Sequence, residues 1–339
     1  MARAVLALTV ASIALAPAAH AQQYAGRALS TDLAFKGRYT QAVVGASVVR
    51  NDATLTARAG AVLDLVDDAE LAFAAVFWWG SAAVPDRDVT LELPGAAPLA
   101  LSAPAGAVDP CFVIDAGDLR SYFACSLDVT TELLAAPSLD GEYAISDLTP
   151  STSVPYFTDN ATCGGTQACS IYAGAFALVL LYRDPADPTP RSLSVSSGLM
   201  FTQFIGDNAG GSLPAFEMQG GGGRLTVVAL EGDLEFPAAG TCSGTIDDVD
   251  SNGLPECDFV ALCAGTCISN PSILPLTASD VIATMSNVAN PLGNVFNETV
   301  SDPFATISGV DVQEANSLDI DTFDLTGLLP DGAYPDLVP

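Results

Sequence analysis

The residues best suited to chemistry in this chain form a run of oxygen donors, Asp248-Val249-Asp250-Ser251-Asn252-Gly253. Oxygens at alternate positions, with Gly sixth, match the opening of a calcium loop, where positions 1, 3 and 5 coordinate and Gly makes the sharp turn. The twelfth position, where a bidentate acid belongs, is Phe259, so Glu256 and Asp258 stand in as substitutes. The candidate calcium set is therefore Asp248, Asp250, Asn252, Glu256 and Asp258. A solvated acidic loop tied by disulfides is the competing reading.

Two further sets point toward carbohydrate. Trp78 and Trp79 offer ring faces for sugar stacking, but adjacent residues of a strand face opposite sides, so core packing is expected for at least one. Asp319, Asp321 and Asp324 offer paired carboxylates of the kind glycoside hydrolysis uses. Against 40 acidic residues in the chain, clustering of Asp by composition alone is the plainer explanation.

Much chemistry is excluded. The single histidine, His20, lies in a segment that reads as a secretory leader: Arg3, an apolar run from Ala4 to Pro17, then the small-x-small site Ala19-His20-Ala21. Cleavage is expected after Ala21, making residues 1–21 a signal peptide; the run is too short to cross about 30 Å of bilayer comfortably. Without His, a mature chain from Gln22 has no Ser-His-Asp or Cys-His catalysis and no imidazole zinc site. Lys36 is the only lysine, and no nucleophile elbow, Walker loop or dinucleotide fingerprint occurs.

Removing the leader leaves ten basic residues against 40 acidic ones, a net charge of −30. Such a surface repels nucleic acid and anionic lipid. No membrane insertion is expected, and the chain is read as secreted to the exterior, the cell surface or the periplasm. Eight cysteines in an exported chain argue for disulfides. Local pairing is the simplest arrangement for Cys111 with Cys125 and for Cys163 with Cys169. Cys242, Cys257, Cys263 and Cys267 allow three connectivities, with an irregular four-thiolate metal site as the rival.

Positioning these residues falls to β-strands. Tyr172 to Tyr182 is uncharged on both parities. Tyr172, Phe176, Leu178, Leu180 and Tyr182 form a bulky face, and Ala173, Ala175, Ala177, Val179 and Leu181 a small one. The stretch therefore reads as a strand covered on both sides. Further strands are expected at 39–49, 70–79, 88–93, 97–102, 111–114, 141–148, 192–202, 224–231, 295–300 and 319–325, with one or two helical turns within 122–134. Residues 22–37 read as a lead-in, and about 240–269 as a disulfide-pinned inserted loop. Many short strands separated by Gly, Pro, Asn and Asp indicate an all-β, antiparallel, jelly-roll-like sandwich, one domain over 22–339.

The order of these segments resembles a family of uncharacterised secreted and surface β-sandwich proteins found in bacterial and archaeal adhesin-like chains. The resemblance is carried by Leu71 to Gly80 with Asp88-Val89-Thr90-Leu91, by Asp128-Val129-Thr130, and by Tyr172 to Asp184 with Arg191. It continues through Leu225 to Asp233, Asn294 to Asn297 and Asp319 to Leu328. It implies a non-catalytic extracellular or cell-surface module; for that role the expected partner is a surface protein or a glycan. A carbohydrate-binding or glycan-hydrolysing protein is the alternative. The family continues with a further strand where Pro330, Pro335 and Pro339 stand here, so the 319–325 strand is expected to leave an open edge, blunted by proline in a monomer, the alternative being that a partner chain adds the missing strand.

Overall fold

The computed structural model describes residues 6–9, 27–49, 55–106, 108–115, 121–151, 173–199, 216–218, 222–229, 260–264, 281–285, 300–301, 318–329, 332–334 and 337–338. The first strands are β1 (Leu6–Thr9), β2 (Arg27–Gly37), β3 (Thr40–Ser47), β4 (Arg58–Leu63), β5 (Glu70–Ser81), β6 (Asp88–Glu92) and β7 (Leu99–Ser102). Next come β8 (Cys111–Asp115), β9 (Ser121–Asp128), the short helix α1 (Thr130–Leu134), β10 (Gly141–Ser146), β11 (Gly174–Arg183) and β12 (Arg191–Leu199). The remainder are β13 (Phe216–Met218), β14 (Arg224–Ala229), β15 (Val260–Ala264), β16 (Val281–Met285), β17 (Val300–Ser301), β18 (Asp319–Asp324), β19 (Gly332–Tyr334) and β20 (Leu337–Val338).

The chain is an all-β sandwich organised around β11. That strand lies inside a five-stranded antiparallel sheet ordered β3-β11-β5-β9-β8, with Val179 flanked by Val43 and Ala75. Its two faces enter different cores, as the alternating side chains imply. Phe176, Leu178, Leu180 and Tyr182 join Val44, Val76 and Trp78 against the sheet β4-β10-β6-β7, which contributes Leu63, Leu91, Tyr143 and Ile145. Ala175, Ala177, Val179 and Leu181 face the other way, with Leu193 and Val195 of β12, Val228 of β14 and Ile320 of β18. The sandwich thus has three layers, the middle one apolar on both sides.

Small side chains on the second face let the outer strands approach closely. Gly45 of β3 marks the closest approach: a Cβ there would meet the carbonyl oxygen of Phe176 and come within 2.9 Å of Ile320 Cδ1. A side chain at this position would push β18 off the central sheet.

The Asp-Pro segment after β11 carries the chain between layers. Asp184 Oδ1 accepts the Ala186 N–H at 2.8 Å, and β12 then pairs with β2 in the outer layer, not with β11. Arg191, at the start of β12, is paired with Asp187 and donates to the carbonyl of Tyr39 at 3.3 Å. Burial acts to raise the Asp187 pKa, but hydrogen bonds from Thr189 and Arg191 outweigh it and hold the carboxyl at about 2.

Several elements depart from the expectations above. The lead-in holds an eleven-residue strand, β2. The supposed inserted loop contains β15, which pairs with β16 and β20. β4 has a Gly and two Ala in RAGAVL, a weak strand signature in isolation, and forms through pairing along β10. The edge expected beside β18 is taken on both sides, by β14 antiparallel and β17 parallel. The terminal prolines frame two short strands, β19 and β20, which pair with β13 and β15. Within the expected leader, Leu6–Thr9 runs parallel to β14. Among the described residues, no helix is long and apolar enough to cross a membrane.

Candidate functional site

One group of side chains is linked through the Cys111–Cys125 disulfide and the segments beside it. The hairpin β8–β9 places Cys111 directly opposite Cys125, and the two are joined in a disulfide. Trp78 of β5 is the neighbour of Cys125 on the other side, and its indole Nε1 donates to the carbonyl of Asp86 at 2.7 Å. The Asp86 carboxylate in turn accepts the Thr149 N–H at 2.8 Å and the Thr149 hydroxyl at 2.6 Å. Next along the chain, Arg87 grips Asp109 through its two terminal guanidinium nitrogens, at 2.9 and 2.6 Å, and also reaches the carbonyls of Ala103 and Pro104. Hydrogen bonds from Arg87 and from the Cys111 N–H hold the Asp109 carboxyl below its ordinary pKa.

Residues 82–87, 103–106, 108–110 and 149–151 are connecting segments: Asp109 and Pro110 accept the N–H groups of Cys111 and Ser126 on the disulfide-bearing hairpin, Arg87 binds Asp109, and 149–151 is held through Asp86 and Ser81. Val84 and Val108 stand exposed in two of these segments.

A second polar group bridges the layers. Gln41 Nε2 of β3 donates to Thr226 Oγ1 of β14 at 2.7 Å, and Thr226 Oγ1 lies 2.9 Å from Thr322 Oγ1 of β18. All three residues are buried. The sequence signal for this bridge is one polar residue inside each of two apolar runs, TQAVVGAS and RLTVVA.

The carbohydrate candidates do not assemble. Trp78 is fully buried and Trp79 is 3% exposed, each in a different core, so neither ring offers a face to a sugar. Asp319 and Asp321 are fully buried on one parity of β18, while Asp324 is exposed and accepts the Thr326 N–H at 2.9 Å in a local turn. The three carboxylates are thus split between interior and surface, because the strand buries its first two acids and ends at the third. Lys36 is exposed on β2.

The calcium candidates Asp248, Asp250, Asn252, Glu256 and Asp258 lie outside the described residues, as do His20, Cys163, Cys169, Cys242, Cys257 and Cys267. Cys263 falls in β15. Among the described residues, no three His, Cys, Asp or Glu side chains converge as a metal site.

No family model, curated protein or solved structure matches the chain.

Proposed function

We propose that the chain is exported, loses its leader after Ala21, and serves outside the cell as a non-catalytic structural or adhesion module. The observation that carries this reading is the Cys111–Cys125 disulfide at the braced end of the sandwich. A cross-strand disulfide belongs to an oxidising compartment, which agrees with the leader pattern at Arg3 to Ala21 and with a strongly acidic, salt-tolerant surface. The resemblance to adhesin-associated β-sandwiches supports the same role. Its partner is proposed to be a surface protein or a glycan, met by the loops at the disulfide-bonded end. A calcium ion held by Asp248, Asp250, Asn252, Glu256 and Asp258 is proposed to steady the cysteine-rich segment.

Two measurements test the reading. N-terminal sequencing of secreted material should begin at Gln22; material that keeps Met1 contradicts export with cleavage. A glycan array probed with and without chelator, together with release of reducing sugar from any bound glycan, tests the role. Turnover of a glycan would replace the module by a hydrolase.

A further inference from the structure

Export takes a strand out of this fold. β1 pairs in parallel with β14, from Leu6 opposite Leu225 to Thr9 opposite Val228, and runs alongside β12. Both neighbours are interior strands: β14 is buried from Leu225 to Ala229, and β12 along nearly its whole length. The other edge of β14 is occupied by β18. Cleavage after Ala21, on which this inference rests, removes β1 and strips one edge of β14 of its hydrogen-bond partner. An apolar edge strand left in that condition is a template for another chain.

We propose that in the exported chain the slot between β12 and β14 receives a strand donated by a partner protein, in the manner of strand addition. The occupant's chemistry follows from the strand seated there, Leu6-Ala7-Leu8-Thr9. It is a short, extended, uncharged and mainly apolar segment that runs parallel to β14. A charged segment would place its charge among Leu193, Val195, Val227 and Val228, all buried, and would bear the cost of desolvating it there. This names the partner class for the adhesion role: a protein with a free apolar strand, not a sugar. It also moves the sticky edge from the C-terminal strand β18, which is paired on both sides, to β14.

The test uses secreted chain whose start has been verified at Gln22. It is titrated with a dye-labelled synthetic peptide of residues 4–11, AVLALTVA, and with the same peptide carrying Leu8→Pro. Proline removes a ladder hydrogen bond, so saturable binding of the first peptide, with the second weaker by about tenfold or more, is the expected result. Absence of binding, or equal binding of both peptides, overturns the proposal. Self-association of the secreted chain that the first peptide competes away supports it and identifies a second copy as one donor. Secreted chain that begins at Met1 overturns the export reading and this proposal together, and that outcome is read before any peptide is added.

Discussion

Trp78 and Trp79 are neighbours in the chain and lie in different cores. Across β9, Trp78 sits opposite Cys125 and Trp79 opposite Ala124, so one ring packs toward the β4-β10-β6-β7 layer and the other toward the β12 and β14 layer. Their emission is therefore expected to be blue-shifted relative to free tryptophan and insensitive to iodide. Adding oligosaccharides should leave it unchanged. Red-shifted, quenchable emission would show that at least one ring is at the surface.

Gly45 should tolerate no side chain. Gly45→Val forces a branched group against the Phe176 carbonyl and Ile320 Cδ1, and the expected loss is about 2–3 kcal/mol of unfolding free energy. Urea denaturation followed by tryptophan emission measures it. A change within about 0.5 kcal/mol, the range of ordinary surface substitutions, would mean that β18 does not press on β3.

The braced end should depend on its disulfide. Cys111 and Cys125 are separated by 14 residues, and closing a loop of that order contributes about 3 kcal/mol in the chain-entropy account. Cys111→Ala with Cys125→Ala is expected to lower stability by about 2–3 kcal/mol, as is reduction of the wild-type chain under denaturing titration. Thiol labelling of the unreduced chain should leave both residues unmodified.

Acid should unlock the crossing between layers. The folded carboxyl of Asp187 is held at about 2, below its unfolded value, so its contribution is fully present above the unfolded pKa and is lost as pH falls toward 2. Over that window Asp187→Asn should flatten the stability curve, removing about 1–2 kcal/mol at neutral pH and little at pH 2. An unchanged pH dependence in the variant would remove the Asp187–Arg191 pair from the account of stability.

Calcium binding to the 248–258 segment should appear in calorimetry as about one weak site, with affinity in the millimolar range usual for extracellular modules. Asp250→Ala should abolish it. Identical thermal unfolding with calcium and with chelator would count against any steadying role.

The sequence by itself determined the β class, the double-sided burial of β11 and the parity that sends each of its side chains to one core or the other. These are properties of two-residue alternation and composition, which act locally. It also made the Cys111–Cys125 bond the simplest pairing, because a 14-residue separation suits a hairpin. Which strand pairs with which was decided only by tertiary structure. β12 follows β11 through a turn yet pairs with β2, since the central sheet already holds β3 and β5 at the edges of β11. β4 is a strand because β10 supplies its ladder, not because RAGAVL favours one. Asp319, Asp321 and Asp324 read in the sequence as paired carboxylates or as chance clustering, and in the fold the first two are interior residues while Asp324, three residues farther along the strand, remains outside. Burial of a charge is set by what packs over the strand, and that information lies in residues far away along the chain.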